Sequence, residues 1–135
     1  MGGINIYCGA FTGADKSGSA FEGVLEGMSP LARPEEAEAI GRLKAAIDDA
    51  SDHILIAPED ARRLLPLLRK YGAEIDGRLT GQPEDQMARD DAQVGADPTA
   101  LKYGAGLGWR AYCVRDLLKA FEHSDLEAEP VALVW

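Results

Sequence analysis

The chain has 135 residues, 46% of them hydrophobic and 27% charged, with 23 Asp and Glu against 14 Lys and Arg, for a formal net charge of −9. That length suits one self-supporting domain, and the hydrophobic share excludes wholesale disorder. The acid excess argues against sequence-independent binding to nucleic acid or to an anionic membrane, both of which need Lys and Arg to neutralise phosphates, and favours a cationic partner.

Residues 4–8, Ile-Asn-Ile-Tyr-Cys, read as a short strand, and a turn-rich stretch from Gly9 to Ser19 follows. Phe21, Val24, Leu25 and Met28 have the spacing of an amphipathic helix, which Gly23 and Gly27 weaken. A stronger helix is predicted over 34–50. Pro34 suits its first turn, Glu35, Glu36 and Glu38 suit its positive end, and Ile40, Leu43, Ala46, Ile47 and Ala50 recur on one face. Residues 53–57 read as a buried strand. Pro58-Glu59-Asp60 then opens a helix over 59–71, closed by Gly72, that Pro66 should kink or split.

Residues 73–83 are glycine-rich and read as a loop or a short hairpin around Asp76-Gly77; residues 83–94 carry only a thin apolar stripe of Met87, Ala88 and Val94. A short helix from Asp97-Pro98 to Tyr103 precedes the glycines 104, 106 and 108. A long amphipathic helix over 109–123 gathers Val114, Leu117, Leu118 and Phe121 on one side, and residues 131–135 supply a final strand. The expected fold is α+β: a small mixed sheet (4–8, 53–57, 131–135) packed with amphipathic helices (34–50, 59–71, 109–123), the alternative being a small α/β sandwich. Residues 1–135 form one domain in this reading, with a mobile acidic excursion at 73–97.

Nucleotide motifs fail on inspection. Lys16-Ser17 has the end of a phosphate loop, but Asp15 replaces the glycine before the lysine. Gly104-Ala105-Gly106-Leu107-Gly108 has the wrong spacing and follows a helix rather than a strand. His53 and His123 have no metal-ligand spacing with each other or with Cys8 and Cys113, so neither a metal nor a cofactor is expected. Cys8 with a histidine is a thinkable thiol and base, but free cysteines are more often small core residues. Two distant cysteines without a leader-like N-terminus or a long apolar run point to reduced thiols, a cytoplasmic location and no membrane.

Charge and anchors give the functional expectation. The net charge is −5 over 1–52, +2 over 53–72, −5 over 73–97, +3 over 98–119 and −4 over 120–135. Glu84, Asp85, Asp90 and Asp91 lie in the acidic excursion and are candidate contacts for a basic protein partner. On the wheel of the last helix Arg110 falls in the apolar sector and Tyr112 in the polar one. With Trp109 they are residue types enriched at interface anchors; the bland reading is an arginine snorkelling from the first turn. In size and charge the chain resembles bacterial immunity proteins that neutralise cationic nuclease toxins, with no shared motif. That resemblance implies an acidic binding or inhibitory protein. One alternative is a small enzyme with its site between the stretch from Gly9 to Ser19 and the connection from Gly104 to Trp109. Another is an assembly subunit forming a homodimer through the C-terminal strand, which is apolar on both faces.

Overall fold

The computed structural model describes residues 3–13, 16–79 and 107–135. Strand β1 (Gly3–Cys8) turns through Gly9 and Ala10 into β2 (Phe11–Thr12), and β3 (Lys16–Ser17) follows along the same edge of β1. Gly9 has φ +54° and Ala10 does not share that sign, the type II′ pattern whose twist matches the flanking strands. Tyr7 faces Thr12 and Ile4 faces Lys16, so β3 is one residue out of register with β2.

Helix α1 (Gly18–Met28) passes through a 3-10 turn (Ser29–Leu31) into α2 (Pro34–Asp49); then come β4 (His53–Ile56), α3 (Pro58–Asp76), α4 (Leu107–Glu127) and β5 (Val131–Val134). The last strand inserts between the first and the middle one. Ile6 and Ile54 both face Leu133, and Tyr7 and Leu55 both face Ala132. The α+β class therefore holds, and the sheet is corrected from mixed to antiparallel: β1 and β4 run parallel to each other, but β5 separates them.

Alternation decides which face of the sheet is covered. Ile4, Ile6, Cys8, Ile54, Ile56, Val131 and Leu133 are buried on one face, while Asn5, Tyr7, His53, Leu55, Ala132 and Val134 on the other are partly or fully exposed. Helix α4 packs on β1 and α2 on β4, and α3 lies against α4 and α2. Two ion pairs join α3 to α4, Arg62 to Asp125 at 2.9 Å and Arg69 to Glu122 at 3.6 Å.

Three local expectations change. Helix α1 forms in spite of its glycines, because Gly23 admits the Arg110 stem and Gly27 admits the Tyr71 ring. Helix α3 runs unbroken through Pro66: the ring is exposed, where water can reach the carbonyl it strands, while Leu64, Leu65, Leu67 and Leu68 are buried around it. It also continues to Asp76, with Ile75 buried, so residues 73–76 are helix rather than loop, and Gly77 caps it through an N–H bond to the Ala73 carbonyl. The C-terminal strand, proposed above as a dimer edge, has both edges paired within the chain and offers none to a second copy. The predicted segments at 83–94 and 97–103, and the rest of the acidic excursion, lie outside the described residues. Among the described residues no helix is long and apolar enough to cross a membrane.

Candidate partner-binding site

The first turn of α2 is built as its sequence requires. Pro34 starts the helix, and Glu36 reaches back to accept the Arg33 backbone N–H at 2.9 Å and the Arg33 Nε–H at 3.2 Å. Burial pushes the Glu36 carboxyl up, but those Arg33 bonds and the charges of Arg33 and Lys70 outweigh it, and the group titrates below its ordinary value. The apolar stripe of α2 is then only half used. Ala39, Ile40 and Leu43 are buried, whereas Ala46 is exposed and Ile47 only partly buried. The C-terminal half of α2 packs at the edge of the core through Ile47, with a groove on each side.

One groove lies between α1 and α2, which barely touch each other. Its volume is about 240 Å³, and it is lined by Glu22, Leu25 and Glu26 of α1 and Lys44, Ile47 and Asp48 of α2. Each triplet has the i, i+3, i+4 spacing that puts its members on one helix face. Leu25 and Ile47 form an apolar floor, and three carboxylates with one ammonium form the rim.

The other groove, about 180 Å³, runs beside β4 and is lined by Leu43, Ile54, Ile56 and Leu64, with Arg42 and Asp60 at its mouth. The Trp135 N–H donates to the Asp52 carbonyl at 2.9 Å, so in the antiparallel ladder Ile54 and Ile56 also bond toward β5, and the backbones of His53 and Leu55 turn to the free edge. The Arg42–Asp60 pair, at 2.6 Å, and the shortness of β4 are the devices that usually blunt such an edge.

Ion pairing sorts the surface charge. Arg33, Arg42, Arg62, Arg63, Arg69 and Arg78 are each paired, with Glu35 and Glu36, Asp60, Asp125, Asp60, Glu122 and Glu74 respectively. Glu22, Glu26, Asp48, Asp49, Glu59, Asp76 and Glu127 are exposed and have no ion-pair partner among the described residues.

Of the residues singled out from the sequence, Trp109, Arg110 and Tyr112 stand in the first turns of α4, each partly buried. Arg110 turns inward. Its stem lies along Gly23, its Nη1 donates to Tyr71 Oη at 3.4 Å, and its Nε is buried with no hydrogen-bond partner among the described residues, so snorkelling does not describe it. Glu84, Asp85, Asp90 and Asp91 lie outside the described residues. The groove residues of α1 and α2 were missed in the sequence, where Leu25 and Ile47 read as core; only the acids one residue beyond each of them, Glu26 and Asp48, hinted at a rim.

The thiol of Cys8 and the imidazole of His123 both engage Glu129, Cys8 at its carbonyl and His123 at its carboxylate. Cys8 is buried and its Sγ–H donates to the Glu129 carbonyl at 3.6 Å, an acceptor shared with the buried Ser124 hydroxyl at 2.5 Å, while His123 Nε2 lies 3.7 Å from Glu129 Oε2. Burial and the Glu129 charge push the Cys8 thiol up, against a lowering by Ser124, whereas a nucleophilic cysteine needs its thiolate stabilised. Gly9 and Gly13 lie against the His123–Glu129 end and Asp116 of α4, so these two glycines do not face Trp109 across a cleft. Ala14, Asp15 and the glycines 104 and 106 lie outside the described residues. No group of three or more His, Cys, Asp or Glu side chains among the described residues is placed to hold a metal ion.

Compared with known proteins, the chain matches no family model, and no curated protein or solved structure matches it significantly.

Proposed function

We propose that this chain is a cytoplasmic binding protein, inhibitory in the manner of the small acidic immunity proteins, that engages a basic macromolecular partner. The ion-pair pattern carries the reading. The arginines around α2 and α3 are committed to internal carboxylates, which leaves the surplus acids of α1, the end of α2 and the start of α3 unneutralised on the surface. A surface of that kind accelerates encounter with a cationic protein and repels polyanions. The buried, raised thiol of Cys8 weighs on the same side, since it withdraws the one nucleophile that the sequence offered to an enzyme.

The test is a pulldown from native lysate with the immobilised protein at low and at high salt. A basic protein retained at low salt and released at high salt is expected. Retention that ignores salt, or enrichment of neutral and acidic proteins only, would overturn the reading. With the partner in hand, reversing Glu84, Asp85, Asp90 and Asp91 together should slow its association; an unchanged on-rate removes that segment from the interface.

A further inference from the structure

We propose that the groove between α1 and α2 is the seat of a helical segment of the basic partner, one that presents a single large apolar side chain flanked at helical spacing by Lys or Arg. This rests on the reading of the protein as a binder of basic partners and assigns that reading a place and a mode.

Three observations converge on the groove. Ile47 packs against the edge of the core and stays only partly buried, beside the buried Leu25, at a point where α1 and α2 fail to close on each other. The groove thus has a small apolar floor that an entering side chain can reach, walled by two helix faces. The rim is complementary in charge to one class of occupant. Glu22, Glu26 and Asp48 are exposed and unpaired among the described residues, against Lys44 as the one base lining the groove. The third observation is size. At about 240 Å³ the groove falls below the roughly 300–1,000 Å³ of small-molecule sites, so it fits a protruding side chain rather than a free ligand.

The geometry selects a helix as the visitor. Glu22 and Glu26 on one wall, and Lys44 and Asp48 on the other, form i, i+4 ridges with a furrow between them, the shape into which a ridge of a third helix packs. An apolar residue on that ridge reaches Leu25 and Ile47, and basic residues three or four positions to either side reach the carboxylates. The groove beside β4 would suit an extended strand instead, but its mouth is closed by the neutral Arg42–Asp60 pair and carries no charge preference.

The probe is an amidated synthetic helical peptide of Lys and Ala with one central Leu, titrated into the full chain at low salt and followed by amide chemical shifts and fluorescence anisotropy. Shifts are expected at Leu25, Glu26, Ile47 and Asp48. The peptide with Ser in place of the Leu should bind more weakly, and the one with Glu in place of Lys should not bind. The triple variant Glu22→Gln, Glu26→Gln, Asp48→Asn should lose about tenfold in affinity, the scale of three exposed ion pairs, with an unchanged thermal melt. Ile47→Ser should weaken the Leu peptide and leave the Ser peptide unaffected. Unaltered binding by the triple variant, equal binding of the Leu and Ser peptides, or shifts confined to another face would overturn the groove; the basic-partner reading would survive each of these, since the salt-dependent pulldown tests it separately.

Discussion

Tyr71 of α3 and Gly27 of α1 meet ring against backbone: a β-carbon at Gly27 would stand 2.6 Å from Tyr71 Cζ, closer than any side chain tolerates. The glycine that weakens α1 as a helix is thus the residue that lets α1 approach α3. Gly27→Ala should destabilise the protein by about 1–3 kcal/mol, the cost of overpacking, despite alanine's better helix propensity. Gly41→Ala, on the exposed side of α2 with open space around it, should stabilise by about 0.5–1 kcal/mol. Urea midpoints of the two variants should move in opposite directions; a shift in the same direction refutes the packing account.

Ala128 caps α4 in the left-handed region, at φ 55°, with its N–H donating to the Ser124 carbonyl at 2.9 Å. Glycine is the usual occupant of that position. Ala128→Gly should therefore stabilise the protein by about 1 kcal/mol, raising Tm by about 4 °C. Gly9→Ala, at φ +54° in the β1–β2 turn, should lower it by at least as much, because the added β-carbon also runs into Glu129 and His123. Calorimetry on the pair checks both signs at once.

Glu36 makes stability depend on acid. Its folded-state titration lies below its unfolded one, so the stabilisation it confers is complete above the unfolded value of about 4.3 and is lost as pH falls through the lower folded value. As the pH falls through and below the ordinary carboxyl range, the native chain should lose more stability than Glu36→Gln does. Parallel stability curves for the two proteins would show that the Arg33–Glu36 contact contributes nothing to this dependence.

A chain ending at Pro130 should not fold. It removes Val131 and Leu133 from the core and leaves β1 and β4 without the strand that joins them. Circular dichroism and proteolysis should report an unfolded chain; a folded product would mean that β1 and β4 can pair directly, against the register seen here.

Much of the fold was legible because it rests on local rules. The helix over 34–49, the 109–123 body of the last helix and all three longer strands follow from periodicity, although that last helix takes in Leu107 and Gly108 and runs on to Glu127, and Pro34 and Pro58 open their helices as prolines should. The errors share a cause. Gly23, Gly27 and Pro66 are unfavourable for an isolated helix, and each is outweighed by packing that no local rule sees: Arg110 on Gly23, Tyr71 on Gly27, and the buried leucines flanking Pro66. Asp76-Gly77 likewise resembles a hairpin turn until Ile75 is found buried in the core.

The candidate site divides in the same way. The sequence by itself determined that this is a one-domain α+β chain with a surplus of acid, because charge and hydrophobic period are properties of composition and neighbour spacing. Only the tertiary structure decided that β5 lies inside the sheet rather than at an assembly edge, that Arg110 points inward, and that Leu25 and Ile47 face each other across an acidic groove. Those relationships join residues far apart in the chain, and their positions follow from how α1, α2 and α4 settle on one core rather than from any segment's own preference.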